Sequence, residues 1–345
     1  VNRLTQSALA FGASPMSATT LPPASRKPSA QYVSRAREDP ARVREGELGD
    51  AGCSADAGGP PAMVRAYTVW PSKNTFCCYG HCMTGPVDDC APNVCAWVTT
   101  LAPMVLFFYA WAEVLWRSSL AYLALVVVSF SSTLFWFTVT AFTDPGIIPR
   151  QLAPEITPPL KRTVTLAFGK EATESWCPTC HIYRPVGAAH CRDCDNCVRD
   201  FDHHCPFTRN CIGARNYVPF VLYLSSVCIS LAVLLVSCGA VLPAIARGEA
   251  REAAAGGRAF NGTLNFLLVT FSIFLSLFLW IFTGYHLVLI FSGLTTKEHI
   301  KGTAARRRPW WERLCGCACV GLSPSEIDPR QLVHRPVPII HFDQL

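Results

Sequence analysis

Four long apolar stretches organise the chain, at about residues 94–115, 119–142, 217–242 and 264–291. About 20 helical residues cross the roughly 30 Å hydrocarbon layer, so each stretch is long enough to span it. The single basic residue Arg117 separates the first two, which predicts an antiparallel helical hairpin over 94–142. The third and fourth stretches, within 217–291, are joined by a more polar link at 243–263. Some 75 polar residues part the two pairs. The pattern predicts an α-helical membrane protein with four transmembrane helices and a polar, Cys-rich loop at 143–216 between helices 2 and 3.

The flanks read differently. Residues 1–62 are poor in large apolar side chains and rich in Ala, Ser, Pro, Gly and Arg, and cannot bury enough surface to offset their ordering entropy. A disordered tail is expected there; residues 1–50 hold no apolar run of the kind a cleavable signal peptide carries. Over 63–93 the aromatic residues Tyr67, Trp70, Phe76 and Tyr79, with Cys77 and Cys78, sit among Pro and Gly, which predicts a small ordered juxtamembrane segment. Residues 292–345 form a polar C-terminal tail.

Composition supports the lipid reading. Half of the 345 residues are hydrophobic and 16% are charged, against about 25% charged in soluble domains; mean hydropathy is +0.26. The net charge of +6 comes with no basic stripe interleaved with stacking aromatics, which argues against nucleic-acid binding. Basic residues cluster in 143–216 and in the tail, including Lys297, Lys301, Arg306, Arg307 and Arg308. By the positive-inside rule both termini and the Cys-rich loop are expected in the cytosol. The sequon Asn261-Gly262-Thr263 falls in the expected luminal link, too near the fourth span to expect its use. The spans lack the paired charges of a solute or ion pathway.

Seven of the 18 cysteines fall within 177–211, beside His181, His190, His203 and His204. Pairs such as Cys177-x-x-Cys180 and Cys191-x-x-Cys194 present two thiolates to one zinc ion, and structural zinc takes four ligands with no open position. Two Cys3His sites use six cysteines and two histidines, leaving one cysteine and two histidines over. The spacing alone leaves two functional classes open. In one the loop is a zinc-binding adaptor or ubiquitin-ligase-like scaffold; in the other the spare cysteine works as a nucleophile.

The tetrapeptide Asp202-His203-His204-Cys205, followed by Pro206, Asn210-Cys211-Ile212-Gly213 and Asn216, resembles the DHHC protein acyltransferases, or palmitoyltransferases. Asp144-Pro145-Gly146 after the second span and Thr295-Thr296-Lys297-Glu298 after the fourth agree with that family, and the resemblance covers about residues 65–330. Asn74-Thr75-Phe76-Cys77-Cys78 is similar to a subgroup that includes Ras acyltransferases. The resemblance implies one structural zinc on Cys177, Cys180, His190 and Cys197, and a second on Cys191, Cys194, His204 and Cys211. It leaves Cys205 as nucleophile, His203 as proton acceptor and Asp202 as its orienting carboxylate. The implied activity is transfer of a long-chain acyl group from acyl-CoA (palmitoyl-CoA), through acyl-Cys205, to cysteine thiols of membrane-associated proteins. An accessory subunit is a further implied partner, in an endomembrane (Golgi or endoplasmic reticulum) or the plasma membrane. The chain departs from the family at Gly187, where Arg is usual, at Ala189 for Ser, and at Phe207 for Trp. Asp144 is expected to end a helix; Thr295, Thr296 and Glu298 are expected to cap or dock the tail; Cys77, Cys78, Cys315, Cys317 and Cys319 are candidate surface acylation sites.

Overall fold

A computed structural model of the 345-residue chain describes residues 63–166, 169, 171–246, 262–302, 309 and 324–335. The expected disordered tail, most of the 243–263 link with Asn261, the run Arg306 to Arg308 and the tail cysteines lie outside the described residues.

The described chain begins with strand β1 (Met63–Arg65) and a hairpin of β2 (Thr75–Cys77) and β3 (Cys82–Thr84). Helix α1 (Cys90–Ser118) then starts four residues earlier than the apolar run alone predicts, and α2 (Leu120–Phe142) follows after Ser119, whose hydroxyl accepts from Tyr122 N–H. The polar loop holds β4 (Lys161–Thr165), β5 (Glu171–Cys177) and β6 (Ile182–Arg184) as one antiparallel sheet. Two further hairpins follow: β7 (Ala189–Cys191) with β8 (Asn196–Val198), and β9 (His203–Cys205) with β10 (Asn210–Ile212). Helices α3 (Tyr217–Ala246) and α4 (Gly262–Ser292) complete the spans, a short α5 (Thr296–Lys301) follows, and β11 (Leu332–His334) returns to pair with β1.

All four long helices are apolar and long enough to cross a membrane. Their shared core is built from Phe107 and Trp111 of α1, Val126 and Phe130 of α2, Leu234 and Cys238 of α3, and Leu268 of α4. The opposite faces present Phe135, Val128, Phe274, Phe278 and Ile281 outward, as lipid-facing positions require. Between α2 and α3, Thr133 bonds Ser230 at 2.8 Å and Tyr122 bonds Ser237 at 2.9 Å. Such contacts average about 0.6 kcal/mol in a bilayer, so apolar packing rather than polar bonding dominates the pairing.

The last carbonyls of α2 have no partner within the helix, and two buried asparagines from the loop supply them. Asn210 Nδ2 donates to Ala141 O (3.1 Å) and Thr143 O (2.9 Å); Asn216 Nδ2 donates to Thr140 O (3.3 Å). Asp144 makes the turn that follows: its Oδ1 accepts from Gly146 and Ile147 N–H, both at 2.9 Å, and its Oδ2 pairs with Arg215 at 2.9 Å. The helix-ending reading of Asp144 is what the geometry shows.

Candidate functional site

The Cys-rich loop has little apolar core of its own, and its short hairpins instead converge Cys and His side chains. Successive residues of a strand point to opposite faces, which explains how neighbours part company here. In β7 and β8, His190 and Cys197 are cross-strand partners and both belong to a cluster with Cys177 and Cys180; Cys191, next to His190, joins a second cluster with Cys194, His204 and Cys211. His204 and Cys211 are likewise cross-strand partners, in β9 and β10.

The donor sets fit a tetrahedral ion. A site with metal–sulfur bonds of about 2.3 Å has ligand–ligand edges of about 3.7 Å. His190 Nδ1 lies 3.5 Å from Cys177 Sγ, 3.5 Å from Cys180 Sγ and 3.8 Å from Cys197 Sγ. In the second cluster His204 Nδ1 lies 3.5 Å from Cys194 Sγ and 3.6 Å from Cys211 Sγ, and those sulfurs are 3.5 Å apart. Each histidine turns its other nitrogen to a carboxylate: His204 Nε2 donates to Asp89 Oδ2 at 2.7 Å, and His190 Nε2 approaches Asp195 Oδ1 at 3.4 Å. An acceptor-only carboxylate fixes Nε2 as the protonated nitrogen and leaves Nδ1 free to bind metal.

His203 and Cys205 sit on the face of β9 opposite His204 and belong to neither cluster. His203 Nδ1 donates to Asp202 Oδ2 at 2.8 Å, and its ring is hydrogen-bonded to the Cys205 thiol. Burial alone pushes that thiol up, but the hydrogen bond and charge of His203 outweigh it and hold Cys205 below its ordinary range. Burial likewise disfavours a charged His203, yet Asp202 and Cys205 raise it to about 9. Asp202 is almost fully buried, which pushes its carboxyl up, and the bonds from His203 and Thr296 more than reverse that. The trio is thus arranged as a thiol ready to lose a proton to an imidazole, which an ionised carboxylate steadies.

The structure gathers Cys177, Cys180, His190 and Cys197 in one cluster and Cys191, Cys194, His204 and Cys211 in a second, and sets Asp202, His203 and Cys205 together outside both. Thr295 begins α5 with a capping box: its hydroxyl accepts from Glu298 N–H at 3.1 Å, and Glu298 Oε2 accepts from Thr295 N–H at 3.0 Å. Thr296 then reaches Asp202, so the docking role expected of this segment has a specific target.

Sequence reasoning missed Asp89, Asp195 and His286. Asp89 and Asp195 carry no signal beyond being acidic. His286 looks like an isolated polar residue in an apolar span, but it is buried with its ring 5.9 Å from that of His203 and packed against Phe220 and Phe282. The position of Gly187 also needs rereading. Its φ is +90°, and a Cβ there would stand 2.7 Å from Asp200 Oδ1. Glycine suits this backbone, whatever an arginine would contribute.

The β2–β3 hairpin, expected as a separate juxtamembrane segment, packs onto the second cluster. Met83 joins Cys191, Cys194 and Cys211 in one buried group, Gly85 N–H donates to Arg209 O at 2.6 Å, and Asn196 Nδ2 bonds Ser72 at 2.8 Å and also Asn74. The segment 324–335 closes the same face: Ser325 donates to Asp144 Oδ2 at 2.6 Å, and Arg199 pairs with Glu326 at 2.5 Å.

A family profile described as DHHC palmitoyltransferase matches residues 170–303. The chain is 31% identical over 302 residues to a Rattus norvegicus protein named palmitoyltransferase ZDHHC18, covering 78% of this chain and 75% of that one. It is 31% identical over 307 residues to the Homo sapiens protein of the same name, with the same two coverages. Palmitoyltransferase ZDHHC8 of Canis lupus familiaris is 37% identical over 205 residues, 58% of this chain and 26% of that one.

Proposed function

The chain belongs to the DHHC palmitoyltransferase family and is a membrane-integral protein S-palmitoyltransferase, and we propose that Cys205 is its nucleophile, His203 the proton acceptor and Asp202 the carboxylate that orients the imidazole. One observation carries the assignment: Cys205, His203 and Asp202 form a bonded chain outside both ligand clusters, while His204 points the other way into one of them.

Cys205 gives its proton to His203 Nε2, and the thiolate attacks the carbonyl carbon of a long-chain acyl-CoA. The carbon–sulfur bond to CoA breaks, the acyl group remains on Cys205 and CoA leaves as a thiol. A substrate cysteine, deprotonated by His203, then takes the acyl group and frees Cys205. One thioester replaces another at each step, so neither oxidant nor ATP enters.

Two zinc ions belong to this reading, one in each Cys3His set. Bound, they fix the loop and offer no open position for chemistry. The acyl-CoA headgroup has a candidate seat in a cavity of about 850 Å3 beside the first cluster, lined by Arg184, Arg192, Lys297 and Lys301, whose charges suit phosphates. Its fatty chain gains about 0.8 kcal/mol per buried CH2, which favours holding it among the helices. We assign the loop and both flanks to the cytosolic side of an endomembrane or plasma membrane from the basic-residue bias. Membrane-associated proteins with accessible cysteines are the acceptors, and an accessory subunit remains part of the proposal. The domain division follows: a juxtamembrane segment at 63–93, helical pairs at 94–142 and 217–291, the Cys-rich domain at 143–216 and the tail at 292–345.

The test is incubation of purified protein with labelled palmitoyl-CoA. A hydroxylamine-sensitive adduct is expected on the wild type and lost in Cys205→Ser; an undiminished adduct in that variant overturns the assignment of the nucleophile.

A further inference from the structure

Three more cysteines converge at a point that the transferase reading does not use. Cys77 and Cys82 are cross-strand partners in the β2–β3 hairpin, and with Cys78 they place three sulfurs within 4.8 Å of one another. The same closeness of ligand atoms marks the two Cys3His clusters.

The backbone at this tip repeats what the chain does at those clusters. Each of them takes two ligands from a cross-strand pair, His190 with Cys197 and His204 with Cys211. Each also has a left-handed residue directly after a ligand cysteine: His181 (φ 52°) after Cys180 and Asp195 (φ 56°) after Cys194. In the hairpin, Cys77 is followed by three left-handed residues, Cys78 (φ 50°), Tyr79 (φ 55°) and Gly80 (φ 84°). Non-glycine residues enter this region rarely, and two in succession hold the loop in a tight curl that turns the Cys78 sulfur back towards the pair. Gly80 is required at the end of the curl, since a Cβ there would stand 2.7 Å from Tyr67 Cδ1. The hairpin is also anchored: Asn74 Nδ2 donates to Thr84 O at 3.1 Å, and Thr84 Oγ1 donates to Arg209 O at 2.6 Å. The three sulfurs are therefore presented on a fixed frame.

We propose that Cys77, Cys78 and Cys82 form a third metal site, which binds one thiophilic d10 cation, Zn(II) or Cu(I). Thiolate donors select soft ions, and a three-sulfur set satisfies trigonal Cu(I) or leaves Zn(II) one position for solvent. Unlike the two structural clusters, whose cysteines are buried, this site has Cys77 and Cys78 exposed. It is accordingly an exchangeable site at the rim of the Cys-rich domain. Because the hairpin grips the second cluster through Met83 and Gly85, occupancy stiffens a support of that cluster without entering the reacting trio.

The test uses full-length protein in detergent, kept reduced and dialysed in parallel against buffered Zn(II) and chelator-held Cu(I), with metal counted per chain by mass spectrometry. The wild type is expected to hold one equivalent more than the Cys77→Ser/Cys82→Ser double variant in at least one arm, with Cys78→Ser intermediate in affinity. The arm that shows the difference names the ion. A readout on the wild type alone needs no variant to fold: bound metal should protect Cys77 and Cys78 from iodoacetamide at least tenfold, mapped by peptide mass spectrometry. Equal metal loading together with unprotected thiols overturns the proposal, and so does a Cys77–Cys82 disulfide that persists under reductant.

Discussion

Thr296 holds Asp202 by both carboxylate oxygens: its N–H donates to Oδ1 at 2.9 Å and its hydroxyl to Oδ2 at 2.6 Å, across 94 residues of chain. The proposed orienting carboxylate is therefore set by the first turn of α5, which Thr295 and Glu298 cap. A hydrogen bond to a charged group contributes about 1.5–3 kcal/mol. Thr296→Val keeps the N–H and removes the hydroxyl, and it should lower the rate of Cys205 acylation about tenfold or more. Thr296→Ser should retain most of the rate. Single-turnover assays with labelled palmitoyl-CoA compare the two.

The state of Cys205 predicts a pH profile. His203 holds the thiol below its ordinary range, so the wild type should be alkylated by iodoacetamide at neutral pH and lose that reactivity as pH falls through the lowered pKa. In His203→Ala burial is opposed only by the hydrogen bonds of Thr208, so the thiol loses its main stabilising partner. The inflection should then move to higher pH than in the wild type. Rates of alkylation at Cys205 between pH 5 and 10 decide this; an unmoved inflection counts against the His203–Cys205 pair.

Asp89 and Asp195 contact His204 and His190, the histidines of the two proposed zinc sites. Loss of such a partner typically costs 10–100-fold in metal affinity. Asp89→Ala should speed zinc release to a chelator by about that factor. The weaker 3.4 Å contact of Asp195 predicts a smaller effect on the other cluster. Metallochromic dye kinetics on the two variants provide the measurement.

Gly213 has no room for a side chain. A Cβ there would stand 2.6 Å from Val198 Cγ1, 2.7 Å from Pro145 O and 3.0 Å from Arg199 O. Two of these are backbone atoms with little freedom to retreat. Gly213→Ala should cost about 1–3 kcal/mol, read as a lower Tm. The same change at Gly239, with nothing within 4 Å of the added Cβ, should be tolerated.

The spans were legible because lipid imposes a length and a polarity that one pass along the chain reveals. The grouping of cysteines and histidines into two clusters of four was legible through spacing and family resemblance. Parting His203 from His204 becomes a physical statement once β9 is known to be extended, because alternation then sends the neighbours to opposite faces. The partners joined by long chain separations were hidden. Asp89 lies 115 residues from His204, and the apolar run drew attention to residue 94 when α1 begins at Cys90. His286 was hidden for the opposite reason: a single imidazole in an apolar helix says nothing about which loop residue it will meet. Gly187 read as a missing arginine until its positive φ supplied a local reason for glycine.

The two buried asparagines that complete the end of α2 have a mechanical consequence. Asn210 lies directly across the hairpin from Cys205, so the residue gripping the α2 carbonyls is also the strand partner of the proposed nucleophile. Three hydrogen bonds thus tie the membrane-spanning helix directly to the strand pair that carries the thiol. The end of a lipid-embedded helix and the proposed nucleophile's strand therefore share one rigid joint, with Asn210 as its pin.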